Sequence, residues 1–269
     1  METVLSADGT TITFDVTGEG PPLVLLHGTG RDKSYWVPSL PDLASGATVH
    51  SVDRRGRGRS GDTNIYAIER EIDDVLAVIA AIDEPVFLLG HSYGAILALE
   101  AALRTHTLLG LILYEPPFSV GSDQVPTHLG DTLDALLASG DRDEVLVTFL
   151  REGPRYPPEV IAAQREQPDW PQRLDYAHTL AREVQAVHRY TFSPTGLAAM
   201  QVPCLLLLGS ESPPFFRQAI EALDTALPES SVVVFQGQHH NAVVTAPALF
   251  AGEVRRFIHA HQQRRAISS

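Results

Sequence analysis

An apolar run at residues 86–89 stops at Gly90-His91-Ser92-Tyr93-Gly94, and an Ala/Leu-rich segment follows at once. A buried strand, a reversal centred on a serine and an immediate helix leave a chain few ways to fold. So sharp a turn has no room for side chains two residues either side of its apex, where Gly90 and Gly94 stand. It holds the Ser92 hydroxyl clear of the backbone, at the N-terminal end of the following helix. There the free N–H of Tyr93 and the helix dipole can meet a developing negative charge. A bare Gly-x-Ser-x-Gly occurs by chance, but between an apolar strand and a small-residue helix it is specific and marks Ser92 as a candidate nucleophile.

The flanking sequence repeats the strand–helix rhythm. Residues 10–16 alternate with period two, as an amphipathic edge strand does. Residues 23–26 are wholly apolar, the pattern of a strand buried on both faces of a parallel sheet, and they run into His27-Gly28-Thr29-Gly30. A helix is expected over 35–44, interrupted by Pro38 and Pro41. Strands are expected at 47–52, 108–114, 204–208 and 231–235. Helices are expected at 68–82, 215–227 and 247–261. Ile68, Ile72, Val75, Ile79 and Ile82 give the first of these a single apolar face. Between 118 and 200 no comparable strand appears; four helical stretches (127–138, 143–151, 158–167 and 174–190) are separated by Gly and Pro. The order predicts an α/β fold, a mainly parallel doubly wound sheet with an inserted helical segment.

Composition narrows the function. The 269 residues are 44% hydrophobic, enough for a sizeable core. A net charge of −13 argues against a nucleic-acid partner, because little here would neutralise phosphates. The one basic cluster, Arg54-Arg55-Gly56-Arg57-Gly58-Arg59, follows a strand but lacks the lysine of a phosphate loop and reads as a structured turn. The single cysteine, Cys204, allows neither an intrachain disulfide nor a cysteine metal site. Neither a signal-peptide pattern nor an apolar run of membrane-spanning length is visible, so a cytoplasmic protein without membrane attachment is expected.

Taken together, these motifs resemble those of the α/β-hydrolase superfamily. They are His27-Gly28 after a strand with Trp36 downstream, Asp53 to Ser60 read as Asp-x-Arg-Gly-x-Gly-x-Ser, the Gly90–Gly94 turn, and His240 followed seven residues later by Pro247. The resemblance covers about residues 3–117 and 200–261. It implies a core of 1–117 and 200–269 and a helical cap domain, 118–199, over the active site. It further implies that Ser92 is the nucleophile and His240 its base, His239 being the neighbouring rival. The backbone N–H groups of Thr29 and Tyr93 would form the oxyanion hole, with both residues bordering the acyl group. His27 and His91 would be hydrogen-bonded supports.

One position departs from the family pattern. An aspartate usually stands three residues beyond the glycine that ends the 204–208 strand, and here that residue is Ser212. A serine cannot stabilise an imidazolium as a carboxylate does. Two carboxylates could replace it. Glu115 closes the strand before the cap, the acid position of some haloalkane dehalogenases, and is followed by two prolines. Glu211 is one residue from the usual place. Glu115 is the favoured acid. The resemblance then implies a serine hydrolase acting on an ester-like bond of a small or medium substrate, a carboxylesterase or lactonase, with no metal or organic cofactor. A serine nucleophile argues against dehalogenase or epoxide-hydrolase chemistry. A carbon–carbon bond hydrolase or natural-product tailoring enzyme could use the same residues, and a non-catalytic small-molecule binder is the reading from another class. The cap aromatics Trp170, Tyr156, Tyr176, Tyr190, Phe118 and Phe192 are expected to help close a mainly apolar pocket.

Overall fold

In a computed structural model, which describes residues 1–121 and 123–268 and side chains as far as 262, the strands join in one eight-stranded sheet. They are β1 (Glu2–Leu5), β2 (Thr11–Thr17), β3 (Pro22–Leu26), β4 (Thr48–Asp53), β5 (Val86–His91), β6 (Leu108–Tyr114), β7 (Cys204–Gly209) and β8 (Ser230–Phe235). Their order is β1-β2-β4-β3-β5-β6-β7-β8. The pairs β1–β2 and β2–β4 are antiparallel and the remaining five are parallel. The mainly parallel α/β sheet expected from the sequence is therefore present. β1 was not foreseen: its four residues are half-buried to exposed at the sheet edge, so no buried face marks them in the sequence.

The central strands are apolar on both faces, which is why they read as continuous runs. On one face Val24, Leu26, Val86, Leu88, Leu111 and Leu113 pack under α2 (Ile68–Ile82) and α3 (Tyr93–Ala102). On the other, Leu23, Leu25, Phe87, Leu89, Ile112 and Tyr114 meet a second layer. α1 (Leu40–Ala44) and the long C-terminal helix (Pro247–Ser268) belong to that layer. The helix expected over 35–44 is broken into a 3-10 turn, Lys33–Trp36, and the short α1, because Pro38 and Pro41 interrupt the hydrogen-bond ladder. Among the described residues no helix is long and apolar enough to cross a membrane.

The topology selects where a ligand sits. From β3 the chain crosses to β4 on one side, then returns to β5 on the other. Adjacent loops that leave a sheet in opposite directions open a crevice at the strands' carboxyl ends. Here those ends carry His27-Gly28-Thr29 and Ser92.

Five helices lie between β6 and β7: α4 (Leu129–Ser139), α5 (Arg142–Glu152), α6 (Pro158–Arg165), α7 (Trp170–Asp175) and α8 (Ala177–Arg189). The single helix expected over 174–190 is two, broken at Tyr176. Its hydroxyl donates to Asp32 Oδ2 (2.8 Å), pinning the break to the loop after β3.

The arginine cluster is the main tie between this segment and the sheet. Arg54 donates twice to Glu71 (2.7 and 2.9 Å), Arg55 twice to Asp74 (2.7 Å each), and Arg57 pairs with Glu183 of α8. Arg54 also lies 3.1 Å from Glu183. These three guanidiniums are nearly or fully buried and paired internally, which makes the cluster a structured turn, while its fourth arginine, Arg59, is exposed. Removing one member of a buried ionic set strands its partners. Glu183→Ala should therefore lower the free energy of unfolding by about 3–5 kcal/mol in a urea titration. A loss under about 1 kcal/mol, typical of a surface pair, would show that these charges do not hold the segment to the sheet.

Candidate active site

Ser92 follows β5 at φ 56° and ψ −123°, a strained conformation for a residue with a side chain. The strain is enforced from both sides. A Cβ on Gly90 would collide with the carbonyl of Gly94 and with Ala95. A Cβ on Gly94 would collide with the carbonyl oxygens of Leu26 and His27. Close backbone approach explains both glycines, and it sets the first turn of α3 directly against the end of β3. The Ser92 N–H donates to the Tyr114 carbonyl (2.8 Å), continuing the β5–β6 ladder to the apex.

The end of β6 supplies the carboxylate. Glu115 is fully buried, at φ 47°. Its N–H donates to the Leu207 carbonyl (3.2 Å), and its Oε1 accepts from the Gly209 N–H (2.6 Å). Its Oε2 accepts a hydrogen bond from His240 Nδ1. Of the four non-glycine residues with positive φ among those described, two are Ser92 and Glu115. Backbone strain of this kind persists only where the surroundings enforce it.

His240 stands on the loop after β8 and is held on every side. Phe216 of α9 (Pro214–Ala226) stacks on its ring, centroids 4.2 Å apart, and His91 lies 4.4 Å away on a tilted plane. Its carbonyl accepts from His91 Nε2 (2.9 Å), since a carbonyl can only accept. Tyr114 donates to the His239 carbonyl (2.9 Å) and accepts from the N–H of Ala242 (3.1 Å), which opens α10 (Ala242–Thr245). His27 has a fixed tautomer: the Arg54 N–H donates to Nε2 (3.2 Å), so the proton is on Nδ1, which donates to the Gly28 carbonyl (2.9 Å). Both supporting histidines thus brace the backbone of the loops on which Ser92, Thr29 and His240 depend.

Burial penalises charge throughout. It pushes the Glu115 carboxyl up, against the Gly209 N–H that favours the carboxylate, and burial together with the Arg31 guanidinium pushes the His240 imidazole down. Both shifts disfavour the charged forms, so burial opposes an ion pair of ionised Glu115 with protonated His240 at rest. Burial also lowers His27 and His91 well below the usual imidazole range.

Ser92, His240, Gly28 and Thr29 line one cavity, about 650 Å³ of empty space counted to its open mouth. Ser92 Oγ makes no hydrogen bond to a described residue, so Ser92 and His240 share the cavity without being bonded to each other. The rivals are elsewhere. Glu211 turns its carboxylate to the Ser210 hydroxyl (2.9 Å), and His239 meets Tyr114 through its backbone only. Tyr93 needs a correction. Its N–H is the first of α3, but its ring does not border the cavity. Its hydroxyl is 2.7 Å from that of Tyr66, and Arg54 covers its face, because the Arg54–Glu71 pair needs a polar neighbour there.

Most of the cap aromatics also lie outside the cavity. Phe118 stacks on Phe192 at 4.5 Å, and Tyr190 donates to Glu100 (2.8 Å). Tyr156 alone of that group lines the space, with Phe149, Leu150, Val184 and Val187. Two lining residues carry no sequence signal for a site, Arg31 and Arg173. Among the described residues, no group of three or more His, Cys, Asp or Glu side chains is placed to hold a metal ion.

Comparisons with known proteins agree with this architecture. Residues 23–253 match the signature of the "Alpha/beta hydrolase family". A solved alpha/beta hydrolase from Sphaerobacter thermophilus is 36% identical, with a TM-score of 0.86 over 96% of this chain and 100% of that one. The solved esterase RhEst1 from a Rhodococcus species is 26% identical, with a TM-score of 0.76 over 96% of this chain and 98% of its own. A pimeloyl-[acyl-carrier protein] methyl ester esterase from Aeromonas hydrophila is 27% identical over 263 residues, spanning 92% of this chain and 99% of the relative.

The buried neutral histidines make stability pH-dependent. Unfolded imidazoles take up protons as pH falls through about 6.5, whereas His27 and His91 stay neutral in the native protein. Glu115 and His240 shift in opposite directions, and their contributions to the pH dependence oppose each other. Stability should therefore fall from pH 7 to pH 5.5, with a slope of up to about 1.4 kcal/mol per pH unit for each of the two supports. Urea midpoints that do not move over that range would contradict neutral burial of these rings.

Proposed function

Since this chain belongs to the alpha/beta hydrolase family, we propose that it is a serine hydrolase that cleaves an ester-like bond of a small or medium molecule. The observation that carries this reading is the buried Glu115–His240 hydrogen bond, in a cavity that Ser92 also lines. In this reading residues 118–199 act as a cap over a core formed by 1–117 and 200–269. The esterase relatives support the choice of an ester bond.

The chemistry follows from the placement. Ser92 Oγ attacks the carbonyl carbon while His240 Nε2 takes its proton. Glu115 holds the resting proton on Nδ1 and stabilises the imidazolium that forms. The carbonyl oxygen, now negative, is met by the N–H groups of Tyr93 and Thr29, each worth about 3 kcal/mol to the transition state. Collapse expels the alcohol, which recovers the proton from His240 and leaves an acyl-Ser92. Water, deprotonated by the same imidazole, then attacks the acyl carbon and releases the acid and the free serine. Ester and water become acid and alcohol. The non-catalytic alternative draws its weight from Ser212, and the Glu115–His240 hydrogen bond supports the catalytic reading over it.

Hydrolysis of 4-nitrophenyl butyrate tests these roles. Ser92→Ala should reduce turnover to background, and Glu115→Gln should lower kcat by about 10³–10⁴-fold, as expected when a triad acid is replaced by its amide. Glu211→Gln should leave the rate near that of the parent. Turnover that survives Ser92→Ala, or falls with Glu211→Gln but not with Glu115→Gln, would refute the assignment.

A further inference from the structure

Two buried regions of this protein hold arginines, and their charge is settled differently. In the Arg54–Arg57 turn two guanidiniums face Glu71 and Glu183, so positive and negative charges balance. Around the cavity they do not. Arg173, on α7, is 3% exposed and has no ion pair with any described carboxylate. Its Nε donates to the Gly30 carbonyl (3.3 Å) and its Nη1 to Gln164 Oε1 (2.9 Å). Nη2 has no acceptor among the described residues, and the residue lines the cavity. Arg31 lies beside it, sharing Gln164 Oε1 (3.1 Å) and pairing with Asp169 (3.0 Å), whose side chain is 38% exposed. Two guanidiniums thus share one carboxylate, and that carboxylate faces water.

A buried, unbalanced cation is costly, and proteins keep one where a ligand supplies the counter-charge. Burial and the Arg31 guanidinium weigh against the charge on Arg173, and Asp169 offsets them only in part. An anion there would reverse that penalty. The site is also adjacent to the reaction centre, because the Gly30 carbonyl that anchors Arg173 follows Thr29 directly. The rest of the lining is largely apolar, from Val125, Phe149, Leu150, Val184, Val187 and Phe216.

We propose that the cavity selects esters carrying a second, free carboxylate, which Arg173 and Arg31 bind while the ester carbonyl lies at Ser92. The substrate class is then the half-ester of a short dicarboxylic acid, or an ester of equivalent length with its carboxylate on the alcohol side. The planar fork of a guanidinium suits a carboxylate, and the apolar walls suit the methylene chain between the two ends. This inference rests on the hydrolase reading above, and the following test separates the two.

The 4-nitrophenyl half-ester of glutaric acid and 4-nitrophenyl pentanoate are close in length and differ by a charge. The parent protein should show a KM lower by about tenfold or more for the half-ester. Arg173→Gln should collapse that ratio, and Arg173→Lys should restore part of it. If Arg173 serves only to support the Gly30 loop, both esters will weaken alike and the ratio will survive, which overturns the proposal. Equal KM values in the parent protein overturn it too, and that comparison needs no folded variant. If the parent hydrolyses neither ester, the hydrolase reading has failed. Calorimetric titration of Ser92→Ala with glutarate then decides the anion site alone: saturable binding that pentanamide does not reproduce supports it, and no binding removes it.

Discussion

The first turn of α3 rests on the carbonyl oxygens of Leu26 and His27, and no side chain fits between them at Gly94. Most of the site follows from that contact. It brings the end of β5 against the end of β3, the two strands at which the chain reverses its direction of winding across the sheet. Ser92 is thereby set beside the loop that carries Thr29, although sixty-odd residues separate them in sequence. The strained φ of Ser92 is sustained because sheet hydrogen bonds fix the strand behind it and packed backbone fixes the helix ahead. Rigid elements therefore define the candidate site, and preorganisation of this kind is what the proposed acyl transfer demands.

The second organising constraint is electrostatic. Buried charge is tolerated in three forms here, each with a different consequence. In the Arg54–Glu71 and Arg57–Glu183 set, guanidinium and carboxylate neutralise each other and tie α8 to the turn after β4. In Glu115–His240, desolvation disfavours the charged form of both groups, and the hydrogen bond between them holds the imidazole in place. Beside the cavity, Arg173 has no ion pair of its own among the described residues and shares only the half-exposed Asp169 with Arg31. The same low-polarity interior makes the first set adhesive, disfavours charge at rest in the second and leaves the third short of negative charge.

The two supporting histidines show how a site of few reacting atoms draws on a wider shell. His91 is within the turn itself and donates to the backbone of His240, so the Ser92 turn and the His240 loop are joined through one imidazole. His27 bridges the backbones after β3 and β4. Neither ring needs to touch substrate to matter, since each one fixes a loop whose displacement would separate reacting groups.

Much of this was legible in the linear sequence, and the reason is locality. The apolar runs of β3, β5, β6 and β7 announce strands buried on both faces, because parallel sheets covered by helices leave no polar side. Ser92 stood out because its strand, its flanking glycines and its helix are contiguous. What the sequence could not decide depends on residues brought together from far apart. Glu115 and Glu211 were both acceptable carboxylates. Only the register of β6 against β7, which puts the Gly209 N–H on Glu115 Oε1, turns the first toward His240 and leaves the second with Ser210. Tyr93 was expected at the acyl group, but the charge network under α2 claims its hydroxyl and ring. Arg173 carried no signal, because an arginine on a short helix is ordinarily solvated. Packing over the cavity buried it, with only the half-exposed Asp169 nearby among the described carboxylates. Backbone geometry and hydrophobic period are written in neighbouring residues, so the sequence determined the sheet and the turn that carries Ser92. Desolvation and charge balance are properties of the assembled interior, so tertiary structure alone decided which carboxylate meets His240 and the character of the pocket.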